Sequence, residues 1–179
     1  MRIHPRHFNK FMIVVAVVTA ILIVIATLSY TSSRESAFQR QMMEADSLGY
    51  VAFPYIESRD TLLLNQLRGQ YLLLDFWSTW SEPSIESHKV LSKLPEEDFI
   101  SLRVVAASVR TDSSEVAAYR QKYNYAFEFV DGTDFYREMN LPGVPSQILF
   151  NPGGQVVATF VGYTGPNRYD SLKTHLANE

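Results

Sequence analysis

The chain has 179 residues, 46% of them hydrophobic, with 16 Lys and Arg against 19 Asp and Glu and a formal net charge of −3. That length holds one domain of about 100–150 residues plus an appendage, and the acidic balance argues against nucleic acid as a partner. Cys is absent, which excludes disulfides, thiol chemistry and lipid attachment through cysteine.

The first predicted element is apolar. Residues 11–29 carry no charge, and a helix of that length, rising ~1.5 Å per residue, matches the ~30 Å hydrocarbon core of a bilayer. The run exceeds the ~7–15 apolar residues of a cleaved signal peptide, and no small-x-small cleavage site follows. An uncleaved transmembrane anchor is therefore expected over 11–29. Arg2, Arg6 and Lys10 precede it with no acidic residue among them, so residues 1–10 are expected to form a cytoplasmic basic tail, with everything after Tyr30 outside. Residues 30–48 read as a juxtamembrane spacer. They lack Gly and Pro and hold mostly good helix formers, so a helix continuing from the membrane is expected. Met42 and Met43 are expected to fill packing gaps.

A folded domain is expected over 49–179. Residues 51–56 and 61–64 suggest a hairpin, and Pro54 places its first strand at an edge. After the Arg68-Gly69-Gln70 turn, residues 71–77 form a near-continuous apolar run suited to a strand buried on both faces. A helix is predicted from about 84 to 94, with Ile85, Val90, Leu91 and Leu94 as its apolar stripe and Pro95 as its stop. Residues 99–109 read as the next strand. Ser113 is placed to cap a helix reaching Tyr123, with Glu115 in its first turn. A short helix over 134–139 follows. A hairpin then joins 147–150 to 156–161 around Asn151-Pro152-Gly153-Gly154, and a helix from 167 or 169 to 176 closes the chain. Strands alternating with helices predict an α/β fold with a central mixed sheet flanked by helices.

Three separated stretches carry a family resemblance. Leu74-Asp75-Phe76-Trp77-Ser78-Thr79-Trp80-Ser81-Glu82-Pro83-Ser84 resembles the Phe-Trp-Ala-x-Trp-Cys-x-Pro-Cys segment of TlpA/ResA-like thiol-disulfide oxidoreductases. Leu141-Pro142-Gly143-Val144-Pro145-Ser146 is similar to their Gly-Val-cisPro-Thr segment, and Asn151-Pro152-Gly153-Gly154-Gln155-Val156 to the hairpin turn after it. The resemblance covers roughly residues 50–179 and implies a thioredoxin-like fold. It puts Ser81 and Ser84 where the family carries its two cysteines, so both catalytic positions are degenerate. Exchange proceeds through a thiolate and a sulfur–sulfur intermediate, neither of which an alcohol supplies. Ser81 retains the ability to cap a helix, a contribution of about 1 kcal/mol.

The resemblance also implies that Asp75 is a buried carboxylate with no thiol left to serve. It implies a cis bond between Val144 and Pro145, and a backbone edge there that pairs with an extended substrate segment. The partner surface expected to outlast the chemistry comprises Trp80, Ser81, Pro83, Ser84, Val144 and Pro145. The expected protein is thus a membrane-anchored, periplasmic thioredoxin-like pseudoenzyme that binds a peptide or cell-envelope protein, with no cofactor and no metal.

Two other readings come from the residues. Residual redoxin-like activity would need sulfur from a partner. A hydrolase would use Ser84 and His88, which lie four apart and share a helix face, yet it would also need an orienting group and an oxyanion hole. His4 and His7 precede the anchor and His175 stands alone, so no metal-ligand spacing emerges. Tyr119, Tyr123, Tyr125, Phe127 and Phe129 are expected to pack a core.

Overall fold

The structure, a computed structural model, describes residues 5–45, 48–94, 102–163, 165 and 168–177. It divides into two compact units, Met1–Ala37 and Phe38–Glu179.

The first unit is formed by helix α1, Pro5–Glu44, whose last two turns belong to the second. It is long and apolar enough to cross a membrane, and its apolar window is wholly exposed. Thr27 and Ser33 donate their hydroxyls to the carbonyls of Ile23 and Ser29 one turn back, each at 2.8 Å. In this way a helix hides its few polar groups from an apolar solvent. Arg2 and His4 lie outside the described residues.

The second unit starts with Phe38 and Met42, one helical turn apart and both buried in its core, while Met43 is exposed. Strands β1, Ala52–Pro54, and β2, Thr61–Leu63, pair antiparallel as a separate two-stranded sheet. The next residue, Tyr55, bridges to Val130 of the main sheet. That main sheet has five strands: β3, Tyr71–Trp77; β4, Leu102–Ser108; β5, Glu128–Asp131; β6, Ser146–Phe150; and β7, Val156–Val161. Their order is β5-β4-β3-β6-β7. β3, β4 and β5 are parallel, whereas β6 runs antiparallel to β3 and β7 antiparallel to β6.

The pleat sends alternate residues of β3 into two cores. Leu72, Leu74 and Phe76 meet Val105, Ala107, Ile148 and Phe150, covered by the hairpin, by Phe38 and Met42, and by helix α4, Thr133–Glu138. Leu73 and Trp77 meet Val104, Ala106 and Leu149 under α2, Glu82–Leu91; α3, Ser113–Tyr123; and α5, Arg168–Ala177. The β6–β7 turn closes on Asn151, whose side-chain oxygen accepts from the Gln155 N–H at 2.9 Å, with Gly154 in the left-handed region at φ 83°.

Four expectations change. α2 begins at Glu82, two residues early, because Ser81 caps it and Pro83 suits its first turn. Its inward face is Ser84, Ser87, His88 and Leu91, while Ile85 and Val90 are only partly buried. The cap position of α3 is Asp112, with Ser113 as its first helical residue. A strand stands at Glu128–Asp131 and takes in Phe129, the last of the alternating aromatics Tyr125, Phe127 and Phe129, which form no predicted element; its register is set by pairing with β4. The predicted stop at Pro95, the strand start at Phe99 and the helix start at Asn167 lie outside the described residues.

Candidate functional site

From β3 the chain adds β4 and β5 on one side, then returns to place β6 on the other. The C-terminal end of β3 is thus where the direction of strand addition reverses, the usual place for ligands in open α/β sheets. There the chain runs from Trp77 through Ser78, Thr79 and Trp80 into α2. The hydroxyls of Ser78 and Thr111 lie 2.8 Å apart and both donate toward the Val109 carbonyl, at 3.0 and 3.1 Å, tying this loop to the one after β4.

Ser81 takes an extended backbone, φ −96° and ψ 101°, and its Oγ accepts from the Ser84 N–H at 3.4 Å, as a helix cap does. The same Oγ lies 3.5 Å from the Val144 carbonyl, at the long limit of hydrogen bonding. The Val144–Pro145 bond is cis. Ser81 and Val144 therefore meet, as the sequence implied. Trp80 is 64% exposed and Pro83 is also exposed, so they form the rim, whereas Ser84 and Pro145 are buried beneath it.

Below the rim lies a polar cluster. Asp75 and His88 are both 0% exposed, with His88 Nε2 2.8 Å from Asp75 Oδ2 and His88 Nδ1 2.8 Å from the Tyr119 hydroxyl. A neutral His88 satisfies both bonds at once: Nε2–H donates to the carboxylate and Nδ1 accepts from Tyr119. The ring sits among Trp77 at 4.7 Å, Phe127 at 5.1 Å and Tyr119 at 5.6 Å between centroids. One residue earlier, the Ser87 hydroxyl accepts from Gln147 Nε2 at 3.0 Å and lies 2.6 Å from the Tyr169 hydroxyl. Through Ser87 and His88, α2 is hydrogen-bonded to β3, β6, α3 and α5.

This geometry separates Ser84 from His88. Both ring nitrogens are engaged elsewhere, and Ser84 Oγ has no hydrogen-bond partner. The serine–histidine pair a hydrolase needs is not formed. Among the described residues no cluster of three His, Asp or Glu is arranged to hold a metal ion.

The Asp75–His88–Tyr119 cluster was not foreseen as a unit. A signal existed in the spacing of Ser84, Ser87 and His88, whose i, i+3, i+4 pattern marks one helix face. The apolar stripe read from the sequence, Ile85, Val90, Leu91 and Leu94, shares only Leu91 with that face.

Burial pushes Tyr169 up to about 12, opposed by its bond to Ser87. Burial, then Tyr125, Tyr123 and Asp75 nearby, raises Tyr119 as well. An unfolded tyrosine ionises near pH ~10. Above that pH the unfolded chain gives up protons that the folded chain keeps, so these tyrosines contribute stability that is fully present below pH ~10 and lost as pH rises through the folded values. Chemical unfolding measured from pH 9 to 12 is expected to show stability falling steadily, and less steeply in Tyr169→Phe. An identical slope in that variant would contradict the assignment.

A thioredoxin-like family model matches residues 69–156. The thioredoxin-like protein YneN of Bacillus subtilis is 26% identical over 103 residues, 55% of this chain and 61% of YneN. The thiol-disulfide oxidoreductase ResA of the same organism is 27% identical over 103 residues, 55% of this chain and 57% of ResA. The match thus spans less than two thirds of either relative. Among solved structures, a secreted Mycobacterium tuberculosis disulfide oxidoreductase homologous to E. coli DsbE has a TM-score of 0.62 at 20% identity, covering 75% of this chain and 100% of that one. At such identity it shows the fold. The chain has a thioredoxin-like fold and is similar to the ResA-like thiol-disulfide oxidoreductases, with Ser81 and Ser84 at the positions where the motif it resembles carries cysteine.

Proposed function

We propose that this chain is a membrane-anchored thioredoxin-like protein whose domain lies outside the cytoplasm, performs no dithiol chemistry and binds an extended segment of a peptide or cell-envelope protein. The observation that carries this reading is the frame around Ser81. Its oxygen caps α2 and faces the Val144 carbonyl beside a cis proline, while no sulfur stands at either position. Disulfide exchange needs a thiolate, and a serine hydroxyl cannot form the mixed intermediate. Strand-like pairing needs only backbone groups and an apolar rim. Val144, Trp80 and Pro83 provide these, with Ser81 beside them and Ser84 and Pro145 supporting from beneath. The basic residues ahead of the span support a cytoplasmic N-terminus.

Affinity capture from envelope extracts with the full chain, set against Val144→Asp, tests the binding surface. The variant puts a charge on the rim and is expected to retain the partner about tenfold less well, as for the loss of one central contact. Neither protein is expected to reduce insulin above background. Equal capture by both, or turnover by the wild type, would overturn the reading.

A further inference from the structure

Trp80 stands out at the rim because the other tryptophan of the chain, Trp77, is completely buried. An exposed indole with no cover invites a partner group of matching electronic character. The charges beside it specify that character. Glu82, the first residue of α2, lies two positions from Trp80 and is exposed. Glu115, in the first turn of α3, is brought to the same loop by the hydroxyl of Thr79, which donates to its Oε2 at 3.0 Å. Elsewhere on the domain, Glu57, Glu86, Glu128 and Asp134 hold Arg120, Lys89, Arg103 and Arg137. Among the described residues neither Glu82 nor Glu115 has such an ion pair. Arg110 is the cationic residue of the neighbouring loop, and its backbone is tied at 3.2 Å to Thr133, on the β5 side.

Both carboxylates sit in the first turn of a helix, where the dipole attracts negative charge. That role explains their charge. It does not account for the exposed indole of Trp80, which stands in the chain between Thr79, the partner of Glu115, and Glu82. A cationic side chain satisfies all three groups, since it is drawn to the ring face and to each carboxylate.

We propose that the segment received at this rim presents an Arg or Lys side chain, which stacks on Trp80 between Glu82 and Glu115. This rests on the peptide-binding reading above and adds the charge of the partner to it. Backbone pairing beside Val144 sets the segment's course, and the cation on Trp80 selects its sequence.

The test uses the full chain in phosphatidylcholine nanodiscs, which offer a cationic peptide no net negative lipid. Fluorescence anisotropy follows labelled acetyl-Ser-Val-X-Val-Ser-amide peptides with X as Arg, Gln or Glu. The Arg peptide is expected to bind about tenfold tighter than the Gln peptide at low salt, the size of one exposed cation–π contact and two exposed ion pairs together, with the Glu peptide weakest. Raising the salt to ~0.2 M should shrink the preference, and Glu82→Gln with Glu115→Gln should reduce it to the share of the indole contact while leaving the Gln peptide bound. Equal binding of Arg and Gln peptides, both lost in Val144→Asp, would overturn the cation and leave the groove standing. No binding by any of the three would overturn both.

Discussion

Replacing His88 with Ala is expected to lower the unfolding free energy of the domain by about 3–5 kcal/mol, the range for leaving a buried charge without its partner. Asp75 would be left at 0% exposure with neither oxygen hydrogen-bonded, since its Oδ1 already lacks a partner. The Tyr119 hydroxyl would lose its bond to Nδ1, and the space between Trp77 and Phe127 would lose its ring. Guanidinium unfolding of the full chain in detergent, followed by Trp77 fluorescence, measures this. The companion variant Asp75→Leu with His88→Leu is expected to recover a large part of the loss, because apolar replacement of a whole buried pair is often neutral or stabilising. If His88→Ala shifts stability by less than about 1 kcal/mol, the pair is not the tether described here.

The second large effect is a gain. Ser81→Cys with Ser84→Cys is expected to turn a chain without thiol chemistry into one that forms a disulfide across the first turn of α2 and reduces insulin in the presence of dithiothreitol. Position 81 is already the helix cap, and the backbone N–H of position 84 donates to it three residues on, so a thiol at 81 would sit among N–H groups that favour its anion. Thiols so placed fall from about 8.5 to about 7 or below. Ser81→Cys alone should capture a model disulfide as a mixed species and stop there, because no resolving thiol remains. The sign of failure is a doubly substituted chain that folds, oxidises and still gives no turnover, which would mean that the frame has lost more than its sulfurs.

Much of this fold could be read directly from the chain. Residues 71–77 give a two-sided buried strand because their apolar run is broken only by Asp75, and the Asn151-Pro152-Gly153-Gly154 turn fixes the β6–β7 hairpin. The membrane-spanning candidate follows from length and lack of charge. The short strand Glu128–Asp131 is harder to read: Tyr125, Phe127 and Phe129 alternate as on a strand, yet its four residues owe their bounds to pairing with β4. The buried face of α2 was hidden for a related reason. Ser84, Ser87 and His88 look like solvent-facing residues, and the groups that satisfy the latter two come from positions 13 to 82 residues away in sequence. No local pattern reports such partners. Motif resemblance brings Ser81 beside Val144 and Pro145, where the structure also has them, but a motif describes a surface and says little about which buried groups hold it.

The short hairpin before the main sheet has a consequence for behaviour in concentrated solution. Tyr55 bridges to Val130 and donates its hydroxyl to Glu128 at 2.7 Å, so the outer side of β5 is met by the chain's own backbone. Neighbouring molecules find their access to that margin blunted, and stacking of copies into ribbons along it is discouraged.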